Sequence, residues 1–126
     1  MLKFSANLGF LWQELPLCDA VHAAAAAGFD AVECHWPYHV PAGQLAAALA
    51  HSGLPMLGLN TRLGDKQAGE FGLSALPGRE SQARDSIDEA IGYAVASGCR
   101  NIHVMAGKTD GGEAAEAVYR DNLLYA

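Results

Sequence analysis

Three stretches, AAGFDAVEC at 26–34, HSGLPMLGL at 51–59 and ASGCRNIHV at 96–104, follow one plan: the small-residue end of a helix, a glycine, a short turn and an apolar strand. Glycine suits that place because the left-handed turn that closes a helix carries a Cβ penalty for other residues. A chain that repeats helix, glycine and strand has its strands running the same way, since each helix returns the chain to the starting edge of the sheet by a right-handed crossover. Sheets of this kind bind ligands at the carboxyl ends of their strands. Those ends carry Asn7, Glu33 with His35, Asn60, and His103 with Met105.

Periodicity predicts strands over 2–8, 29–34, 54–59 and 101–105, and helices over 15–27, 44–52, 80–97 and 113–125. The alanine run at 23–27 reads as a helix made of small side chains so that it can lie close on a sheet. In 80–97, Ile87, Ile91, Ala94 and Val95 recur at helical spacing, while Arg84, Asp85, Asp88 and Glu89 suit the wet face. The expected sheet is four-stranded and parallel, in strand order 1-2-3-4, with helices on its outer face.

One connection breaks the rhythm. NTRLGDKQAGEFGLSALPGRE, residues 60–80, is far longer than the usual connection of about 4–6 residues. It mixes Arg62, Asp65, Glu70, Phe71 and Arg79 with glycines at 64, 69, 72 and 78, and it reads as a ligand-facing loop. A guanidinium grips a carboxylate with two parallel hydrogen bonds, so Arg79, and after it Arg62, is the candidate anchor for an acidic ligand. The plainer role for Arg79 is an ion pair with Glu80 or Glu70, or a bond to an exposed carbonyl. His103 has two roles open as well, a bond to ligand oxygens or a neutral histidine bonded within the fold. Asn7 and Asn60 donate and accept but never titrate.

Composition narrows the partners. A net charge of −6 with only eight Lys and Arg opposes a nucleic-acid groove. Three cysteines, an odd number without paired metal spacing, suit reduced thiols in a cytoplasmic protein. Residues 1–10 lack a leader pattern and no run approaches the ~18 apolar residues of a membrane span, so a soluble protein without membrane contact is expected. Cys34, His35 and His39 crowd around Trp36, Pro37 and Tyr38 and invite a zinc reading. Strand alternation sends Cys34 and His35 to opposite faces, and no metal site is expected there.

The segments FSANLGFLW, GFDAVECHWPY, LNTRLGDKQAGEFGLSALPGRE and NIHVMAG together resemble the amino-terminal half of the hydroxypyruvate isomerase family, within the xylose-isomerase-like barrels. GEFGLSALPGRE is the most specific piece, because twelve residues of mixed chemistry without simple periodicity do not arise from a generic loop. The resemblance implies an α/β protein of (β/α)₈ TIM-barrel type, here about four β/α units, a half barrel with a parallel sheet. It implies isomerisation of small hydroxy-carbonyl acids, such as hydroxypyruvate to tartronate semialdehyde or a 2-oxo-tetronate, through an enediolate. It also implies a divalent metal, Mg or Mn, in the full-length family member, with the metal ligands and the two acid/base glutamates on strands of the second half. By motif position Asn7, Glu33, Pro37, Tyr38, Asn60, Arg79 and His103 fall where the family lines its pocket.

Full barrels need about 250 residues, so residues 1–126 are expected to be the amino-terminal half of a longer domain, with neither catalytic pair nor metal of its own. The alternative is a noncatalytic small-molecule-binding module or a half-barrel that pairs with another chain; endonuclease relatives of this barrel class are disfavoured by the acidic balance. A half-barrel leaves sheet edges unpaired. Expressed alone, the chain is expected to self-associate or pair with a second half-barrel, and a monodisperse, cooperatively melting monomer in ultracentrifugation and calorimetry would contradict the half-barrel reading.

Overall fold

The structure is a computed structural model that describes residues 1–126. Strand β1 (Ser5–Asn7), helix α1 (Leu17–Ala26), β2 (Ala31–Glu33), α2 (Ala42–Ser52), β3 (Leu59–Asn60), α3 (Glu80–Ser97), β4 (Ile102–His103) and α4 (Glu113–Tyr125) alternate along the chain. They divide into two compact units, Met1–Leu59 with Gly92–Ile102, and Asn60–Ile91 with His103–Ala126.

In the first unit β1 and β2 run parallel with Ser5, Ala6 and Asn7 opposite Ala31, Val32 and Glu33. The chain before β3 then lies beside β2: Val32 N donates to Pro55 O (3.0 Å), Leu57 N to Val32 O (2.8 Å) and Cys34 N to Gly58 O (3.1 Å). The Leu59 amide donates in turn to Asn101 O at 3.2 Å, so neighbours follow the order 1-2-3-4, but in place of the expected four-stranded sheet the regular ladders are two, β1-β2 and β3-β4, joined by a single bridge at Val32 and Met56. Regular pairing is shorter than the apolar runs at 54–59 and 2–8 suggest. Pro55 has no N–H to continue a ladder. At the other end Asp30 closes the edge, its Oδ2 accepting from Phe4 N (2.9 Å) while its own N donates to Phe4 O (2.8 Å). Ala20 and Ala24 are buried on α1 beside Val21, and α1 packs against α2.

In the second unit the long connection is itself structured. Thr61 N donates to His103 O (3.0 Å) and the Thr61 hydroxyl accepts from Met105 N (2.9 Å). Farther along, Gly72 N returns to Leu63 O (2.8 Å), Ser74 N reaches Met105 O (3.1 Å) and Ala75 N reaches Ala106 O (2.7 Å), with an antiparallel bridge between Gly72 and Ala106. Leu73, Ser74 and Ala75 are buried as a result. Within 60–80 the stretch at 64–69 is exposed throughout, and 72–75 are buried.

Helix α3 corrects one expected contact. Its buried positions are Ala83, Ser86, Ile87, Ala90, Ala94 and Ser97, whereas Val95 is 79% exposed. The stripe advances by three and four residues from Ile87 through Ala90 and Ala94 and leaves Val95 beside it rather than on it. On α4 the fully buried Asn122 donates from Nδ2 to Ser74 O (2.9 Å) and accepts from Arg84 Nε (3.2 Å).

Two backbones cross at Gly72 and Gly107 with no room for a side chain. A Cβ on Gly72 would lie 2.6 Å from Met105 O and 2.8 Å from Gly107 N, and φ there is +111°. Gly72→Ala combines a collision with backbone strain and is expected to lower stability by at least ~2 kcal/mol in urea unfolding. Gly69, also at positive φ but facing open space, should lose only about 1 kcal/mol on replacement by alanine. Equal losses at the two positions would refute the crossing as the cause.

Candidate functional site

The strand register puts Asn7 and Glu33 side by side at the carboxyl ends of β1 and β2. Paired residues of parallel strands project to the same face, so a carboxamide and a carboxylate stand together in the first unit. Asn7 also builds the turn after its strand, its Oδ1 accepting from Gly9 N at 2.9 Å. Tyr38 follows Trp36 and the buried Pro37 in the chain after β2. Its ring stands edge-on to that of Tyr93 with centroids 5.5 Å apart, and Tyr93 is pinned by its hydroxyl donating to Val40 O at 2.8 Å.

The histidine and cysteine nearby are engaged in packing. His35 sits between Phe10 and Trp36, with ring centroids 4.9 and 5.1 Å away, and Gly9 lies flat against its ring where a Cβ would collide. Burial pushes the Cys34 thiol up to about 12, with Cys99 and Glu33 adding to the shift. A metal ligand needs the opposite, a thiol that ionises easily. No three His, Cys, Asp or Glu side chains in the chain group so as to hold a metal ion.

In the second unit, the bonds from Thr61 N to His103 O and from Met105 N to the Thr61 hydroxyl tie the end of β3 to the end of β4, where Asn60 and the exposed His103 stand. Both candidate arginines hold internal carboxylates. Arg79 donates from Nη1 and Nη2 to the two oxygens of Glu70, the second at 3.2 Å, and from Nε to Gln82 Oε1. The guanidinium bond, followed by the Asp65 amide at 2.5 Å, holds the Glu70 carboxyl below its ordinary range, and the same bond to Glu70 raises Arg79. Arg62 donates from Nε and Nη2 to Glu89 at 2.6 and 2.7 Å. Arg79, Arg62 and Glu89 line one groove with Asp65, Gln82 and Ser86.

Sequence reasoning named Glu70 among the partners open to Arg79 but missed Thr61, Tyr93 and Asn122. Asn122 had a readable signal: it lies seven residues after the buried Ala115, on the same face of a helix, where a polar residue must find partners inside.

Parallel β/α units with amide, carboxylate and imidazole groups at strand ends define an α/β protein of barrel type. The chain matches the family described as xylose isomerase-like TIM barrel over residues 21–126, and it belongs to that family. It is 46% identical to the 2-oxo-tetronate isomerase of Haemophilus influenzae, with all of this chain aligned to 50% of that protein. It is 39% identical to the hydroxypyruvate isomerase of Escherichia coli, again over all of this chain and 50% of the relative. Among solved structures, an AP endonuclease of family 2 from Brucella melitensis superposes with a TM-score of 0.92 at 38% identity, over 99% of this chain and 49% of that one. The chain thus spans about half the length of the curated relatives it matches.

The buried thiol and the Tyr93 phenol give an alkaline signature. Burial raises Cys34 from 9.0 to about 12 and Tyr93 from 10.0 to about 12 on folding, so above pH 9 the folded chain retains protons that the unfolded chain has lost. Their contribution to stability is complete below pH 9 and is lost as pH rises toward about 12. Urea midpoints measured from pH 7 upward should therefore fall above pH 9, and less steeply in Cys34→Ala; an unchanged slope in that variant would refute the assignment.

Proposed function

We propose that this chain forms the substrate-side wall of an isomerase of the hydroxypyruvate type, acting on a small hydroxy-carbonyl acid such as hydroxypyruvate, tartronate semialdehyde or a 2-oxo-tetronate. The observation that carries the reading is the alignment of the whole chain with relatives named 2-oxo-tetronate isomerase and hydroxypyruvate isomerase. A net charge of −6 favours it over a nucleic-acid-directed reading drawn from the Brucella structure.

In this reading the first unit offers Asn7, Glu33 and Tyr38, and the second offers Asn60, His103 and Arg79, as hydrogen-bonding groups for such an acid, with Arg79 the candidate anchor of its carboxylate. Moving a carbonyl by one carbon requires a base, a returning acid and a stabiliser of the enediolate. Glu33 is the only carboxylate among the proposed wall residues and cannot fill all three roles. A divalent metal, Mg or Mn, would supply the charge stabilisation when bound, but this chain's residues do not group into a site for one. The remaining machinery is assigned to a longer polypeptide carrying further β/α units.

The test is an assay of the 126-residue chain with hydroxypyruvate and Mn or Mg, followed by NMR. No isomerisation above background is expected, since losing positioned acid–base groups alone costs about 10²–10⁴ in rate. A longer polypeptide with the further units should show metal-dependent turnover, and Arg79→Ala in it should raise KM about tenfold or more. Chelator-sensitive turnover by the 126-residue chain would overturn the division of roles; inactivity of the longer polypeptide would favour the noncatalytic binding module.

A further inference from the structure

The Glu70 carboxylate accepts from a site built of three donors. Arg79 meets it with both terminal nitrogens and the Asp65 amide adds a third donor at 2.5 Å. Gly64 makes the space, since a Cβ there would collide with Glu70 Oε2. Glu70 and Arg79 side chains are only 15% and 34% exposed. This is the geometry a guanidinium offers to any carboxylate, free or attached.

The carboxylate arrives on a small exposed turn. Glu70 N bonds Asp65 O at 3.0 Å and Gly69 N bonds Lys66 O at 3.1 Å, while Asp65 Oδ1 accepts from Gln67 N (2.9 Å) and Ala68 N (3.2 Å). Positions 64–69 are all exposed, with Gly64 and Gly69 at positive φ. Gly64 rests against the buried Leu73, whose Cδ2 a Cβ there would meet at 2.7 Å, so the Glu70 side chain can leave the guanidinium only by rotating about its own bonds while Leu73, Ser74 and Ala75 stay anchored. The other pair differs, because the Arg62 and Glu89 side chains are 54% and 41% exposed and solvent screens them.

We propose that Glu70 is a built-in carboxylate ligand of Arg79, which keeps the guanidinium fork closed to small carboxylic acids until one of them displaces it. The proposal rests on the reading of Arg79 as the carboxylate anchor and adds the competitor that sets its affinity. Two carboxylates cannot share the same pair of N–H groups, and an Arg paired with Glu attracts an anion less than a bare Arg. Arg79 also lines a second groove with Pro77, Lys108, Thr109 and Asp110, where Lys108 and Thr109 offer donors to the oxygens of a small acid and Asp110 an acceptor to its hydroxyls.

The test is ligand-detected NMR titration of the chain with D-glycerate and with acetate, neither of which has a carbonyl to isomerise. Glu70→Gln and Glu70→Ala should each tighten binding of both acids about tenfold, the factor for a slot closed about nine-tenths of the time. Adding Arg79→Gln should abolish the gain. Variants that keep the far-UV circular dichroism of the parent chain and bind no tighter would overturn the proposal. Loss of that signal in both variants would overturn it too, because the pair would then be a structural latch. Tightening without isomerase activity in the longer polypeptide would refute the isomerase reading alone, and turnover without tightening would refute this proposal alone.

Discussion

The second unit depends on one requirement, that the backbone after β3 and the backbone after β4 satisfy each other's hydrogen bonds. Thr61 does this with both its amide and its hydroxyl, and Ser74 and Ala75 continue the contact to Met105 and Ala106. A buried amide without a partner costs about 1–3 kcal/mol, so each bond decides whether the segment can be buried at all. The approach is close enough that Gly72 and Gly107 have no space for a Cβ. Asn122 of α4 then reaches Ser74 O, tying the last helix to the same segment.

This packing also shapes the chemistry. With Leu73 to Ala75 buried, the chemically mixed part of the connection is divided into an exposed turn carrying Asp65 and Glu70 and a fixed exit carrying Arg79. The arginine is held on two sides by Glu70 and Gln82. In the first unit, by contrast, the site-side groups are set by sheet register alone: Asn7 stands beside Glu33 because Ser5 pairs with Ala31. Slipping that register by one residue would leave the two on opposite faces of the sheet.

Much of the fold was legible in the chain itself. The repeat of helix, glycine and strand pointed to four parallel β/α units, and α3 and α4 begin and end where periodicity places them. Strand lengths were less legible, because Pro55 and the Asp30 side chain interrupt ladders that hydrophobicity alone would extend. Val95 was misplaced for a related reason: an apolar residue at helical spacing is buried only if something covers that side.

By itself, the sequence determined what is local: which segments form helices and strands, that the strands run parallel, and which polar residues stand at their carboxyl ends. Only tertiary structure decided which partners those residues take. That Arg79 holds Glu70 rather than Glu80, that Thr61 bridges to Met105, and that Asn122 is buried against Ser74 depend on contacts between residues 9, 44 and 48 positions apart. Spacing along a helix or strand fixes the direction of a side chain, but a hydrogen bond needs its partner within about 3 Å, and that is set by how the elements pack.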